Sequence, residues 1–159
     1  MPGEPSRFRI ACESDEASVM CRVSMGPLYS TFRRSIAQLA GLLLLFRTAK
    51  TFELEAAVIS LDVLEANVRE ALDALLSISP PKPIKKTHRD LLQAAEHISV
   101  AASLVRLGLA AKSGGFDTAE KALEPLRRGH RLLTDNHDDQ AGLQMLDLTC
   151  ACGMCGLKY

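Results

Sequence analysis

Tryptophan is absent from this chain, and only 4% of its 159 residues are aromatic. A core must therefore come from Leu, Ala, Val and Ile, which favours close-packed helices over an aromatic-rich sheet. Net charge is absent too, with Lys plus Arg and Asp plus Glu at 19 each. Without a positive excess there is little counterion release to gain, which argues against general nucleic-acid binding. The longest apolar run, from Ile36 to Phe46, reaches about half the length needed to span a bilayer, so no membrane role is expected. Met1 to Ile10 has no apolar segment of the export kind. A start at Met25, with Arg33 and Arg34 ahead of the run, would look crudely like an export signal. No small-x-small cleavage site follows closely, the next residues being Arg47-Thr48-Ala49-Lys50, and a buried core helix is the preferred reading.

Catalytic templates are missing as well. There is no Walker-type glycine loop, no dinucleotide fingerprint and no Gly-x-Ser-x-Gly elbow. Neither His-Glu-x-x-His nor the paired Glu-x-x-His of di-iron bundles occurs. No nucleophile, base and stabiliser are brought together by spacing, so an enzyme is the least supported class. No long-period repeat is present.

What remains is a set of leucine-rich stripes with helical period. A first helix is expected to open at Pro27, a residue suited to the first helical position. Leu28, Phe32, Ser35, Leu39, Leu42, Phe46 and Ala49 recur in three–four spacing on it. The second carries Leu54, Ala57, Leu61, Leu64, Val68, Ala71, Leu75 and Ile78 at heptad spacing. The seam of the first helix would next fall on Glu53, whereas the second uses Leu54. That phase slip predicts a turn near Thr48 to Thr51. Ser79-Pro80-Pro81-Lys82-Pro83 is a stiff connector. Thr87 with Asp90 suggests a capping box for a third helix, seamed by Leu91, Ala95, Ile98, Ala102, Val105 and Leu109 and stopped by Gly114-Gly115. Asp117 with Glu120 suggests another cap. The fourth helix has Ala119, Leu123, Leu126, His130 and Leu133 along its seam. Pro125 should kink it near Lys121 or split it with Glu124 as a new cap. A turn at Asp135 to Asp139 and a short helix through Leu143, Met145 and Leu146 complete the pattern.

These readings predict an all-α protein, an antiparallel bundle of about four helices with a short C-terminal helix. Residues 1–26 are expected to be a disordered N-terminal segment, residues 27–148 the bundle domain, and residues 149–159 a cysteine-rich tail with flexible character. Five cysteines near the two ends, an odd number without an export signal, suggest reduced thiols and a cytoplasmic location.

Three clusters carry chemical interest. Cys150, Cys152 and Cys155 place three thiols within six residues, with Gly153 easing the turn and Met154 offering a thioether. Thiolates of this kind suit Zn or Cu, with an iron–sulfur cluster a further soft-donor option. A fourth ligand would have to come from Cys12, Cys21 or His137. Dithiol redox chemistry at Cys152 and Cys155 lacks the expected βαβ context. His97 and His130, with Glu96, would line a polar pocket if the third and fourth helices form a hairpin. Lys85, Lys86 and Arg89, near Lys82 and His88, would form an anion site at a helix start, and Arg127, Arg128 and Arg131 form a second basic group. The leading functional expectation is a non-enzymatic interaction or regulatory module that forms a homodimer or binds a helical protein partner. Its basis is apolar surface beyond one stripe per helix, including Leu44 and Leu45. The alternative is a soft-metal binding or metal-responsive protein using the C-terminal thiols.

Overall fold

The chain is all-helical in a computed structural model that describes residues 6–48, 53–111 and 114–137. The elements are α1 (Ser6–Thr48), α2 (Leu54–Ser77), a 3₁₀ turn (Lys82–Ile84), α3 (Lys85–Ala110), α4 (Gly115–Glu120) and α5 (Leu123–Asp135). No described helix is long and apolar enough to cross a membrane.

The first helix departs most from expectation. It begins at Ser6, so Pro27 lies inside it rather than at its start, and residues 6–26 are helical rather than disordered. With 43 residues it is roughly 64 Å long. Pro27 cannot donate to the Val23 carbonyl, a loss that ordinarily breaks a helix. The stripe of side chains compensates. Cys21, Met25, Tyr29, Phe32, Ile36, Leu39 and Leu43 are all buried, so packing continues on both sides of the proline. The three–four spacing read from Leu28 onward continues upstream through Met25, Cys21 and Ser18.

The second and third helices follow their stripes. In α2, Ala57, Leu61, Leu64, Val68, Ala71 and Leu75 are buried. Leu54, expected on the seam, stands 48% exposed at the helix start. In α3 the expected line is buried together with Ala94, Ala101 and Gly108, so the helix is covered on two flanks. The contacts explain this. Helices α1 and α3 touch each other in the middle, α2 packs on both from one side, and α4 and α5 pack on both from the other. Each fully buried Leu or Ile contributes about 1.5–3 kcal/mol through removal from water.

Both expected capping boxes are absent. Helix α3 starts at Lys85, before Thr87, and its N-cap is Ile84 with no side-chain cap. Helix α4 starts at Gly115 after Gly114, whose left-handed φ of 66° favours glycine. Pro125 splits the last segment as foreseen. The break falls at Lys121–Ala122, and Ala122 rather than Glu124 is the N-cap of α5. Pro125 then occupies the first turn, where a missing N–H costs nothing.

At this end of the bundle α3 and α4 meet backbone to backbone. A Cβ on Gly108 would lie 2.5 Å from the Gly115 carbonyl oxygen and 2.6 Å from Ala119 Cβ. A Cβ on Gly115 would collide with the Gly108 carbonyl oxygen. Phe46 of α1 meets Phe116 of α4 edge to face, with centroids 5.8 Å apart and planes at 71°.

Candidate functional site

The opposite end of the bundle holds its buried polar groups. Tyr29 on α1 is fully buried and its hydroxyl donates to the Leu133 carbonyl of α5 at 2.9 Å. Burial pushes the phenol up to about 12, with the nearby Arg33 charge opposing. His88 in the first turns of α3 lies 2.9 Å from the Leu75 carbonyl through Nε2, which must carry the proton to donate there. That carbonyl belongs to the last turn of α2 and also accepts the Ile78 N–H. Asp90 accepts from Lys86 Nζ at 2.8 Å and from Asn136 Nδ2 at 3.2 Å. Asn136 also donates to the Leu132 carbonyl at 2.8 Å, so it caps α5 and ties that end to α3. Burial pushes the Asp90 carboxyl up, but the hydrogen bonds from Lys86 and Asn136 and the charges of Lys86 and Arg89 outweigh it and hold the group below the usual carboxylate range.

These bonds decide what the cluster can do. The Tyr29 hydroxyl and His88 Nε2 both serve backbone carbonyls at helix ends, and Asp90 accepts from two side chains. The arrangement stitches four helices together. Sequence reading missed this layer. Asp90 drew notice only as a cap, Asn136 only as part of a turn, and Tyr29 not at all. Their partners lie 46 and 104 residues away, beyond any local pattern.

The basic cluster sits on the same end. Lys85, Lys86 and Arg89 are all exposed, and Lys86 and Arg89 also approach Asp90, at 2.8 and 3.9 Å. Two of the three expected anion ligands thus face a carboxylate of their own chain. His97 packs at the α3–α5 contact. A Cβ on Gly129 would lie 3.5 Å from His97 Cβ, so the glycine brings α5 close to α3 at that level. His130 is half-buried and Glu96 is exposed. It is Gly129, not His130, that takes the buried position on α5.

Cys150, Cys152 and Cys155, and the expected helix through Leu143, lie outside the described residues. Among the described residues no group of three His, Cys, Asp or Glu side chains is placed to hold a metal ion. Cys21 is buried in α1, and burial pushes its thiol up, away from the thiolate that metal binding requires.

Two surface grooves flank α2. Between α2 and α3, a groove of about 360 Å³ has Leu64, Val68, Leu72, Ile98 and Ala102 along its floor. Arg106 spans its edge, donating to Glu65 at 2.8 and 3.1 Å and to Asp62 at 2.6 Å. The other, about 310 Å³, runs between α1 and α2 past Pro27, Thr31, Arg34, Gln38, Asn67 and Glu70. No family model matches the chain, and no significant match is found among curated proteins or solved structures. Several apolar side chains are exposed: Leu44, Leu45, Ile59 and Val63 are 62, 54, 57 and 57% exposed on the adjacent helices α1 and α2, and Val19, Met20, Val23, Leu76, Val100 and Leu107 are exposed to a similar degree elsewhere.

Proposed function

We propose that this protein is a non-catalytic helical interaction module that associates with a second copy of itself. One observation carries the reading. The core is closed by α1, α2, α3 and α5, yet Leu44, Leu45, Ile59 and Val63 remain more than half exposed on the outer sides of α1 and α2. Single exposed aliphatics are ordinary. Leu45, Ile59 and Val63, on two neighbouring helices, support the kind of patch that marks an interaction surface, with Leu44 turned about 100° from Leu45. The polar layer supports a non-catalytic reading, because its Tyr, His and Asp groups are occupied in holding helix ends.

A zero net charge fits association between identical copies, since it removes mutual repulsion. Light scattering coupled to size-exclusion chromatography, over a concentration series, tests the proposal. A mass of twice the 17.3 kDa chain at high concentration is the expected result. A constant monomer mass across the series contradicts it.

A further inference from the structure

The arrangement of charge and apolar surface points to one particular face for this association, and the inference rests on the self-association reading above. We infer that the outer face shared by α1 and α2 pairs with the same face of a second copy, about a two-fold axis running along the helices.

The register of the two helices is fixed by the groove between them, where Pro27 and Ala74 lie at one end and Gln38 and Asn67 further along. The chain runs antiparallel in α1 and α2, so residue numbers across the groove sum to a near-constant value. Continuing that register places Leu45 of α1 level with the Ala56 to Ser60 turn of α2, and Gly41 level with Ser60 to Leu64. Arg34 and Leu45 are three helical turns apart on one stripe of α1. Ile59, Val63 and Glu70 follow one another on α2 at spacings of four and seven. The face is therefore divided along its length. Over the length that α2 covers, one half is apolar, with Leu45, Ile59 and Val63, and the other half carries Arg34 on α1 and Glu70 on α2; beyond the end of α2 the stripe of α1 turns apolar again at the exposed Val23.

That division is self-complementary. Rotation about an axis parallel to the helices lays α1 of one copy over α2 of the other, antiparallel. Leu45 then meets the partner's Ile59, and the partner's Leu45 meets Ile59 in return. At the polar half Arg34 meets the partner's Glu70, and the exchange repeats by symmetry. Neither Arg34 nor Glu70 takes part in the ion pairs made within the described residues, and the two line the α1–α2 groove of their own copy at the same level. The resulting four-helix contact has the geometry in which antiparallel helices ordinarily pack.

Charge reversal tests the inference on the full chain. Both residues are exposed, so the variants are expected to fold as the parent does. Arg34→Glu and Glu70→Arg should each raise the dimer dissociation constant about tenfold or more, and the double reversal should restore most of the loss. Val63→Glu, which places a charge in the apolar half, should leave a monomer at concentrations where the parent is a dimer. A dimeric parent whose affinity is unmoved by the single reversals and by Val63→Glu overturns this face while leaving self-association standing. Single reversals that weaken the dimer without rescue in the double variant overturn the reciprocal pairing. A monomeric parent overturns the inference and the reading beneath it together.

Discussion

The two ends of this bundle are held by different physics. At one end Tyr29, His88, Asp90 and Asn136 reach across helices to carbonyls or to one another, so helix termini are joined by directional bonds. At the other end Gly108 and Gly115 bring two backbones into contact, and Phe46 and Phe116 close the gap beside them. The first arrangement tolerates some shift in any one partner, because Asp90 and the Leu75 and Leu133 carbonyls each have a second donor. The second has no such tolerance, because no atom can be added between α3 and α4.

Substitutions at the two ends should therefore differ in size. Gly108→Ala is expected to produce the largest loss, about 3 kcal/mol, because the new methyl meets backbone that cannot move aside alone. Urea denaturation measures it, and a loss below about 1 kcal/mol would show that the α3–α4 contact is loose. Asp90→Ala should cost roughly 2 kcal/mol, since it leaves the buried Asn136 amide short of an acceptor and removes the tie between α3 and α5. The same group gives an acid limb. Its folded-state pKa is lowered, so its stabilisation is present above the ordinary value of 3.8 and fades as pH falls through the lower folded value. Parent and variant should converge in stability under strongly acidic conditions.

Tyr29→Phe should cost less, about 1 kcal/mol, because the Leu133 carbonyl keeps the Asn136 N–H. Its signature lies at alkaline pH. The phenol is raised from 10.0 to about 12, so its stabilisation is complete below pH 10 and is lost as pH rises toward 12. Thermal melts of the parent should fall in that window more steeply than those of the Phe variant. Gly41→Ala makes the smallest change and has the opposite sign. Nothing lies within 4 Å of the added methyl, so helix propensity alone should raise stability by about 0.5–1 kcal/mol. Opposite signs at Gly41 and Gly108 would isolate close approach as the reason that the second glycine is needed.

The same contrast explains how much was legible beforehand. The apolar stripes of α2 and α3 follow from local period, and nearly every residue on them is buried. Pro125 announced the break between α4 and α5 because a proline acts on its own turn. Pro27 misled for the same reason. Judged locally it starts a helix, but Met25, Cys21 and Ser18 keep the stripe going upstream and tertiary packing outweighs the lost bond. Thr87 with Asp90 had the spacing of a cap, yet Asp90 is drawn to Asn136 by the return of α5, which no neighbouring residue reveals. Gly129 and Gly108 were equally silent, since a glycine's value at a crossing depends on what lies opposite. The proposed self-association face shows both sides of this. Surplus apolar positions were visible around Leu44 and Leu45, but setting Leu45 level with Ile59, and Arg34 with Glu70, needs the register of α1 against α2.

Photocrosslinking from position 45 tests that face most directly. A benzophenone-bearing side chain replaces Leu45, and equal amounts of unlabelled and ¹⁵N-labelled chains are mixed before illumination. Crosslinked peptides joining a light chain to a heavy chain, and landing between Ala56 and Val63, are the predicted result. Crosslinks confined within single chains, or joining chains at α3 or α5 instead, would contradict it.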